Sequence, residues 1–275
     1  MTITETVLEM HYHKPLIDLL RETYGLGPEG QFNFYKYSPQ REVFVGFDQA
    51  FARTELTDAQ FFEQMKASAM TDGYRLTSRF AAYFLQFKVV TELKRRFKQT
   101  PAAIVNRPHY RASLDTTKKD RTGFSQHELL FNLSRNDNAM VYYACPMLFE
   151  KSSLYEIQIS LDPLRLTDLS TCPSNFTDNS NHYIYFNDKS SDPIWCSEPT
   201  QGQALTCKQF AEQVVFQLRA QPPGIGLEHL LALLAKIKSY GADNTTSLES
   251  EGNNDSGLAL VADSMTIIRV DEPLA

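Results

Sequence analysis

The sequence predicts an α/β fold in which a mixed central β-sheet is flanked by helices, with further helical elaboration toward the C-terminus. Three observations carry this. Two apolar strands, Val43-Phe44-Val45-Gly46-Phe47-Asp48 and Ala82-Tyr83-Phe84-Leu85-Gln86-Phe87-Lys88, alternate their side chains between two faces. After the second of them, a helix opening at Ser125 leads into an apolar strand around Met140-Val141-Tyr142-Tyr143-Ala144, and strand, crossing helix, strand is the order of an α/β core. Two amphipathic helices then follow, Gln203 to Gln221 and Gly226 to Tyr240, separated by Pro222-Pro223-Gly224.

Length and composition set the frame for these elements. With 275 residues, 42% hydrophobic and 22% charged, the chain can bury one sizeable core. One domain is expected over residues 1–240, its core in about 1–150 and accessory strands and helices in 151–240. Residues 241–257 turn to Asn, Ser, Thr, Glu and Gly, the composition of an acidic flexible linker. The remaining tail to residue 275 carries the apolar runs Leu258 to Val261 and Met265 to Val270, which fit either strands docked on the domain or strands added to a partner. No apolar run approaches the ~18 residues of a membrane span, and no basic start precedes an apolar segment, so a cytoplasmic protein without a membrane partner is expected.

Taken in order, Thr4 to Tyr24 has helical spacing, with Pro15 placed to start a second segment and Gly25 to end it. Gln31 to Tyr37 alternates as a strand closed by Ser38-Pro39. In the strand that follows, Gly46 and Asp48 share a face, and the glycine leaves room for close approach. Thr57-Asp58-Ala59-Gln60 has the form of a capping box for a helix with Phe61, Phe62, Met65 and Ala69 on one side. In the strand over Ala82–Lys88, Gln86 and Lys88 share a face. Asn106 to Thr122 reads as a polar loop. Ser125-Gln126-His127-Glu128 and Thr206-Cys207-Lys208-Gln209 are two more capping boxes, the first placing His127 in the opening turn of its helix. Leu154 to Leu161 and His182 to Phe186 are expected strands, with a Ser/Asn/Asp-rich loop between. The helix 226–240 carries a wide leucine face that needs either the core or another chain as its partner.

The four cysteines are widely spaced and form no Cys-x-x-Cys pair, so free thiols are expected rather than a zinc knuckle or redox motif. Charge is unevenly distributed. The chain is −6 overall, yet Arg75 to Arg121 holds twelve bases against three acids, a local +9. Such asymmetry suits a polyanion, and Lys94, Arg95, Arg96, Lys98, Arg111, Lys118 and Lys119 are the candidate nucleic-acid contacts. A solvated helix face plus a basic loop explains the same run without a ligand.

Gly46-Phe47-Asp48 followed by Gln86-Phe87-Lys88 resembles the catalytic signature of the PD-(D/E)XK, or restriction-endonuclease-like, superfamily, closest to its Mrr-type Gly-x-Asp … Gln-x-Lys branch. The resemblance covers about the first half of the chain. It implies a restriction-endonuclease-like core and metal-dependent hydrolysis of phosphodiesters in DNA, within a defence or DNA-processing system. Asp48 would then ligate Mg²⁺ (or Mn²⁺), the Gln86 carbonyl would be a second ligand, and Lys88 would orient water or stabilise charge on the phosphate. The family's leading helix often adds a glutamate to the metal site, with Glu9 and Glu22 as candidates. Because glutamine replaces the second acid, a protein that keeps the fold without its chemistry is the alternative. It would serve as a nucleic-acid-binding or assembly subunit, with helix 226–240 or the tail contacting a partner protein or a second copy.

Overall fold

A computed structural model describes residues 3–27, 30–36, 44–47, 50–52, 76–98, 100–119, 123–136, 139–155, 159–177, 180–196, 199–222, 225–239, 261 and 264–273. Asp48, the helix expected from Thr57 and the linker expected over 241–257 lie outside these residues. The described helices are α1 (Glu5–Tyr24), α2 (Gln126–Asn136), α3 (Cys207–Ala220) and α4 (Ile225–Ser239). The strands are β1 (Gln31–Lys36), β2 (Phe44–Phe47), β3 (Ala50–Ala52), β4 (Leu76–Phe87), β5 (Val90–Leu93), β6 (His109–Ser113), β7 (Met140–Pro146), β8 (Leu164–Asp168), β9 (Tyr183–Phe186), β10 (Ile194–Trp195), β11 (Thr200–Gln201), β12 (Ala204–Leu205) and β13 (Met265–Pro273). The chain is therefore α/β. It divides into two compact units built from interleaved segments, Met1–Leu19 with Leu85–Ala211, and Leu20–Phe84 with Glu212–Ala275.

The first unit contains the five-stranded antiparallel sheet β11-β10-β9-β6-β5 and the antiparallel run β12-β8-β7. All seven residues of β7 are buried, which fits its apolar, β-branched and aromatic composition. Both capping motifs in this unit start their helices, the Thr206 one with both reciprocal bonds and the Ser125 one through its hydroxyl. Ser125 Oγ accepts from the Glu128 amide at 3.0 Å, and Thr206 and Gln209 exchange bonds, each side chain accepting from the other's amide at 3.2 and 2.9 Å. Two expectations fail here. The segment expected as a strand over Leu154 to Leu161 begins as a 3-10 turn, Lys151–Tyr155, and the strand comes later, as β8, after the Asp162-Pro163 turn. The loop expected over Asn106 to Thr122 contains β6, whose buried Tyr110 and Ala112 place it inside the sheet.

In the second unit the strand order is β4-β13-β1-β2-β3, all antiparallel. β2 and β4, which carry the two halves of the expected signature, are therefore not neighbours, because β13 and β1 lie between them. The C-terminal run Met265–Pro273 docks as a strand of this sheet, in register with β4 from Met265↔Phe84 to Pro273↔Leu76. Its Arg269 and Asp271 project to one face and pair at 2.8 Å with side chains only 5% and 2% exposed. Ser78 Oγ donates to the same carboxylate at 2.6 Å. α4 buries Leu230, Leu234 and Ile237 within this unit, and Gly226 lies so close to the Phe80 backbone that a Cβ there would meet the Phe80 carbonyl oxygen at 2.8 Å. Arg79 Nη1 donates to the carbonyls of Leu218, Arg219 and Gln221 and so caps the end of α3.

α1 is a single helix with Pro15 inside it, where a second start had been expected. The proline removes the bond to the His11 carbonyl. Burial of Leu8, Tyr12, Leu16, Ile17, Leu20 and Tyr24 along one stripe offsets that loss. Among the described residues no helix is long and apolar enough to cross a membrane.

Asp271→Ala removes the carboxylate that pairs with the buried Arg269 guanidinium and is expected to cost about 3–5 kcal/mol in urea denaturation. An Arg269→Met/Asp271→Leu pair is expected to recover most of it.

Candidate functional site

Two polar side chains on one strand face meet a carboxylate from α1 in the first unit. Gln86 lies near the end of β4 and Lys88 just beyond it, where the Lys88 amide donates to the Ala144 carbonyl of β7 at 2.9 Å. Their spacing of two sends both side chains the same way. Lys88 Nζ donates to Glu5 Oε1 at 3.1 Å and Gln86 Nε2 donates to Glu5 Oε2 at 3.0 Å, so a single carboxylate is held at both oxygens. The Lys88 side chain is 3% exposed and that of Glu5 42%, so the ammonium is sunk into the protein and the carboxylate forms the rim. A hydrogen bond between two charged groups is stronger than a neutral one, and burial at one end strengthens it further.

Glu5 reaches this point because α1 starts there. Thr4 Oγ1 accepts from the Val7 amide at 3.3 Å and caps the helix, and a carboxylate in the first turn is favoured by the helix dipole. The two glutamates expected to join the site lie further along this helix. Glu9 lies one turn further along the same face and is partly buried, while Glu22 is exposed, about 25 Å further along the helix axis than Glu5.

Behind Lys88 stands a buried aromatic wall. Its Nζ lies 5.7 Å from the centroid of the Tyr143 ring, within cation–π range. Tyr143 Oη is 2.7 Å from His127 Nδ1, and His127 Nε2 is 3.2 Å from the Ser174 carbonyl. A carbonyl only accepts, so Nε2 carries the proton, Nδ1 accepts, and the tyrosine hydroxyl donates. The imidazole stacks on Phe176 at 5.0 Å, which stacks in turn on His182 at 4.3 Å. Phe176 has φ of +47°, a strained setting for an aromatic residue, and the two stacks hold it there. Burial pushes the His127 pKa down to about 4; the Ser174 carbonyl partly offsets this, and His182 and Lys88 add to it. Burial also raises Tyr143 well above the ordinary phenol range. His127 is thus a neutral, fully engaged imidazole at pH 7.

Oxygen donors suit a hard cation such as Mg²⁺. Gln86 Oε1 is buried with no hydrogen-bond partner, and beside it stands the Glu5 carboxylate. These two groups fit such an ion in kind. Among the described residues no three His, Cys, Asp or Glu side chains gather to hold a metal.

The basic residues belong to the same unit, and five of them have partners of their own. Lys94, Arg95, Arg96 and Lys98 are exposed. Arg95 covers the Phe97 ring at 5.4 Å and Arg96 donates to the Pro101 carbonyl at 3.0 Å. Arg111 lies 4.3 Å over Tyr183, Lys118 is 3.9 Å from Glu128, and Lys119 is 3.4 Å from Asp115. His109 and Tyr110 are buried in β6. All four cysteines are free, and burial pushes Cys145, Cys172 and Cys207 up to about 12, which keeps them protonated and poor nucleophiles.

Sequence reasoning picked out Gln86 and Lys88 and missed Glu5. The available signal was that Glu5, one turn before Glu9, falls at the capped start of the helix rather than along its length.

Because the unfolded chain takes up a proton at His127 near pH 6.5 and the folded one does not until about 4, stability from this group is complete above 6.5. It is expected to decline by roughly 3 kcal/mol as pH falls from 6.5 to 4. Urea denaturation of wild type and His127→Phe across that range checks this, since the variant should lose this part of the slope. Tyr143→Phe removes the donor to Nδ1 and is expected to cost about 1–3 kcal/mol at pH 7 in the same assay.

No protein-family model, no curated protein and no solved structure matches the chain.

Proposed function

We propose that the protein is a metal-dependent nuclease of restriction-endonuclease-like type that hydrolyses the phosphodiester bonds of DNA. The observation that supports this best is the meeting of the Glu5 carboxylate, the Gln86 carboxamide and the Lys88 ammonium at one point. Glu5 and the buried Gln86 carbonyl would hold Mg²⁺ or Mn²⁺. When bound, the cation supplies a Lewis acid for the phosphoryl oxygen and a site for activating water. The protein's own contribution is electrostatic. Lys88 offers a desolvated positive charge that needs no reorganisation when negative charge builds on the phosphate, and Glu5 balances it while no substrate is present. The exposed Lys94, Arg95, Arg96 and Lys98 supply the sequence-independent attraction for a phosphate backbone.

One observation favours the second possibility, a nuclease-like protein that binds without cutting. Both Glu5 oxygens are already engaged by Lys88 and Gln86, so the carboxylate has its partners without a cation. In that case the basic surface does the work and the acid, amide and ammonium are structural.

The test incubates purified protein with linear, circular and single-stranded DNA and with RNA under Mg²⁺ or Mn²⁺. Metal-dependent cleavage is expected, reduced about 100-fold or more in Lys88→Ala and Glu5→Gln, with Asp48→Ala showing whether that acid participates. Cleavage undiminished in the Lys88 and Glu5 variants rules the site out. Binding without cleavage, weakened by Arg95→Ala and by added salt, identifies the non-cutting protein instead.

A further inference from the structure

The side chains beyond Lys88 form an ordered series. The ammonium faces a ring, the ring's hydroxyl donates to an imidazole, and the imidazole donates to a main-chain carbonyl, over 5.7, 2.7 and 3.2 Å. Every side chain in it is nearly inaccessible, with Lys88 3%, Tyr143 1% and His127 0% exposed. The Ser174 carbonyl at its end has a further partner, which is itself held from α2. Cys172 Sγ donates to it at 3.2 Å, and Arg135 of α2 donates to the Cys172 carbonyl at 2.7 Å. Phe176 packs on the imidazole face, so the ring can neither flip nor tilt without disturbing the loop.

A lysine stem has four rotatable bonds and a spherical charge, so nothing in the side chain itself directs the ammonium. Glu5 gives it one contact, and that contact is on the exposed rim. The second contact, the face of Tyr143, is what limits where Nζ sits when Glu5 is drawn toward another charge. We propose that Tyr143 and His127 are positioning residues for the Lys88 ammonium, Tyr143 through its ring face and His127 by fixing that ring through the hydroxyl. The catalytic consequence rests on Lys88 being the reacting lysine proposed above; the positioning itself does not.

The experiment reads the position of Lys88 directly, by NMR on full-length isotope-labelled protein. The Lys88 ε-methylene resonance is assigned by its absence in Lys88→Arg. Lying over an aromatic face, it is expected upfield of the other lysines. Tyr143→Phe keeps the ring and should keep most of the shift. Tyr143→Leu should lose it. His127→Phe retains the stack on Phe176 but leaves the tyrosine hydroxyl without an acceptor, and the shift should fall by at least half. His127→Phe/Tyr143→Phe, which removes both ends of that bond, should restore it toward the Tyr143→Phe value. Near-ultraviolet circular dichroism, reporting on the buried Trp195 among other aromatic groups, confirms that each variant is folded, and if Tyr143→Leu is not, the other three decide. In the cleavage assay His127→Phe is expected to lower kcat about tenfold with KM little changed.

A Lys88 resonance that stays in place in folded His127→Phe and Tyr143→Leu overturns the proposal. Should the resonance follow the variants while no preparation, wild type included, cleaves any nucleic acid, the positioning stands and the protein is not a nuclease. Should Lys88→Ala abolish cleavage while the resonance never moves, the nuclease stands and the positioning falls.

Discussion

An ammonium group stripped of water is tolerated in a protein only where a counter-charge or a polarisable surface reaches it, and the first unit is arranged around meeting that demand for Lys88. The counter-charge has to come from a helix that begins at the right place, which fixes the N-terminus of α1 and its Thr4 cap. The stem has to leave β4 where the next strand still supplies a main-chain partner, and the Ala144 carbonyl of β7 does so. Gln86, two residues back, uses the other oxygen of the same carboxylate and stops it from rotating away. A pair of charges at this depth contributes little net stability, since desolvation consumes most of the Coulombic gain.

The wall behind the lysine has a different logic. A histidine at the start of a helix ordinarily faces water, but His127 is turned inward and surrounded by Phe176, Tyr143 and the Ser174 carbonyl. Each of its nitrogens has one partner of the correct sense, and the backbone strain at Phe176 is accepted so that the stack can form. Such a network is worth keeping only when complete, because a buried polar group left without its partner costs more than the bond contributes.

Part of this was legible in the sequence. Polar residues two apart in an apolar strand must share a face, which is why Gln86 and Lys88 stood out. Two capping boxes gave helix starts that the structure places within a residue, because the Ser125 and Thr206 motifs satisfy backbone donors locally and need no tertiary context. Glu5 was hidden because a first-turn acid looks the same whether it faces solvent or a strand 81 residues away. β6 was hidden because its sequence, His-Tyr-Arg-Ala-Ser, reads as polar, and its pairing with β5 on one side and β9 on the other depends on residues outside it. Tyr143 looked like ordinary core; nothing in one sequence marks a buried tyrosine as facing a lysine. The separation of β2 from β4 was not legible either, since strand order depends on β13, almost two hundred residues downstream of β4.

That last strand has a consequence for how the chain comes into being. β13 lies between β1 and β4, so neither can complete its hydrogen bonding until residues 265–273 have left the ribosome. The second unit is thus assembled after synthesis of nearly everything described here, with two unsatisfied strand edges waiting for their insert. Its closure joins segments far apart in sequence, and contacts of that kind form late and leave strand edges open until they do.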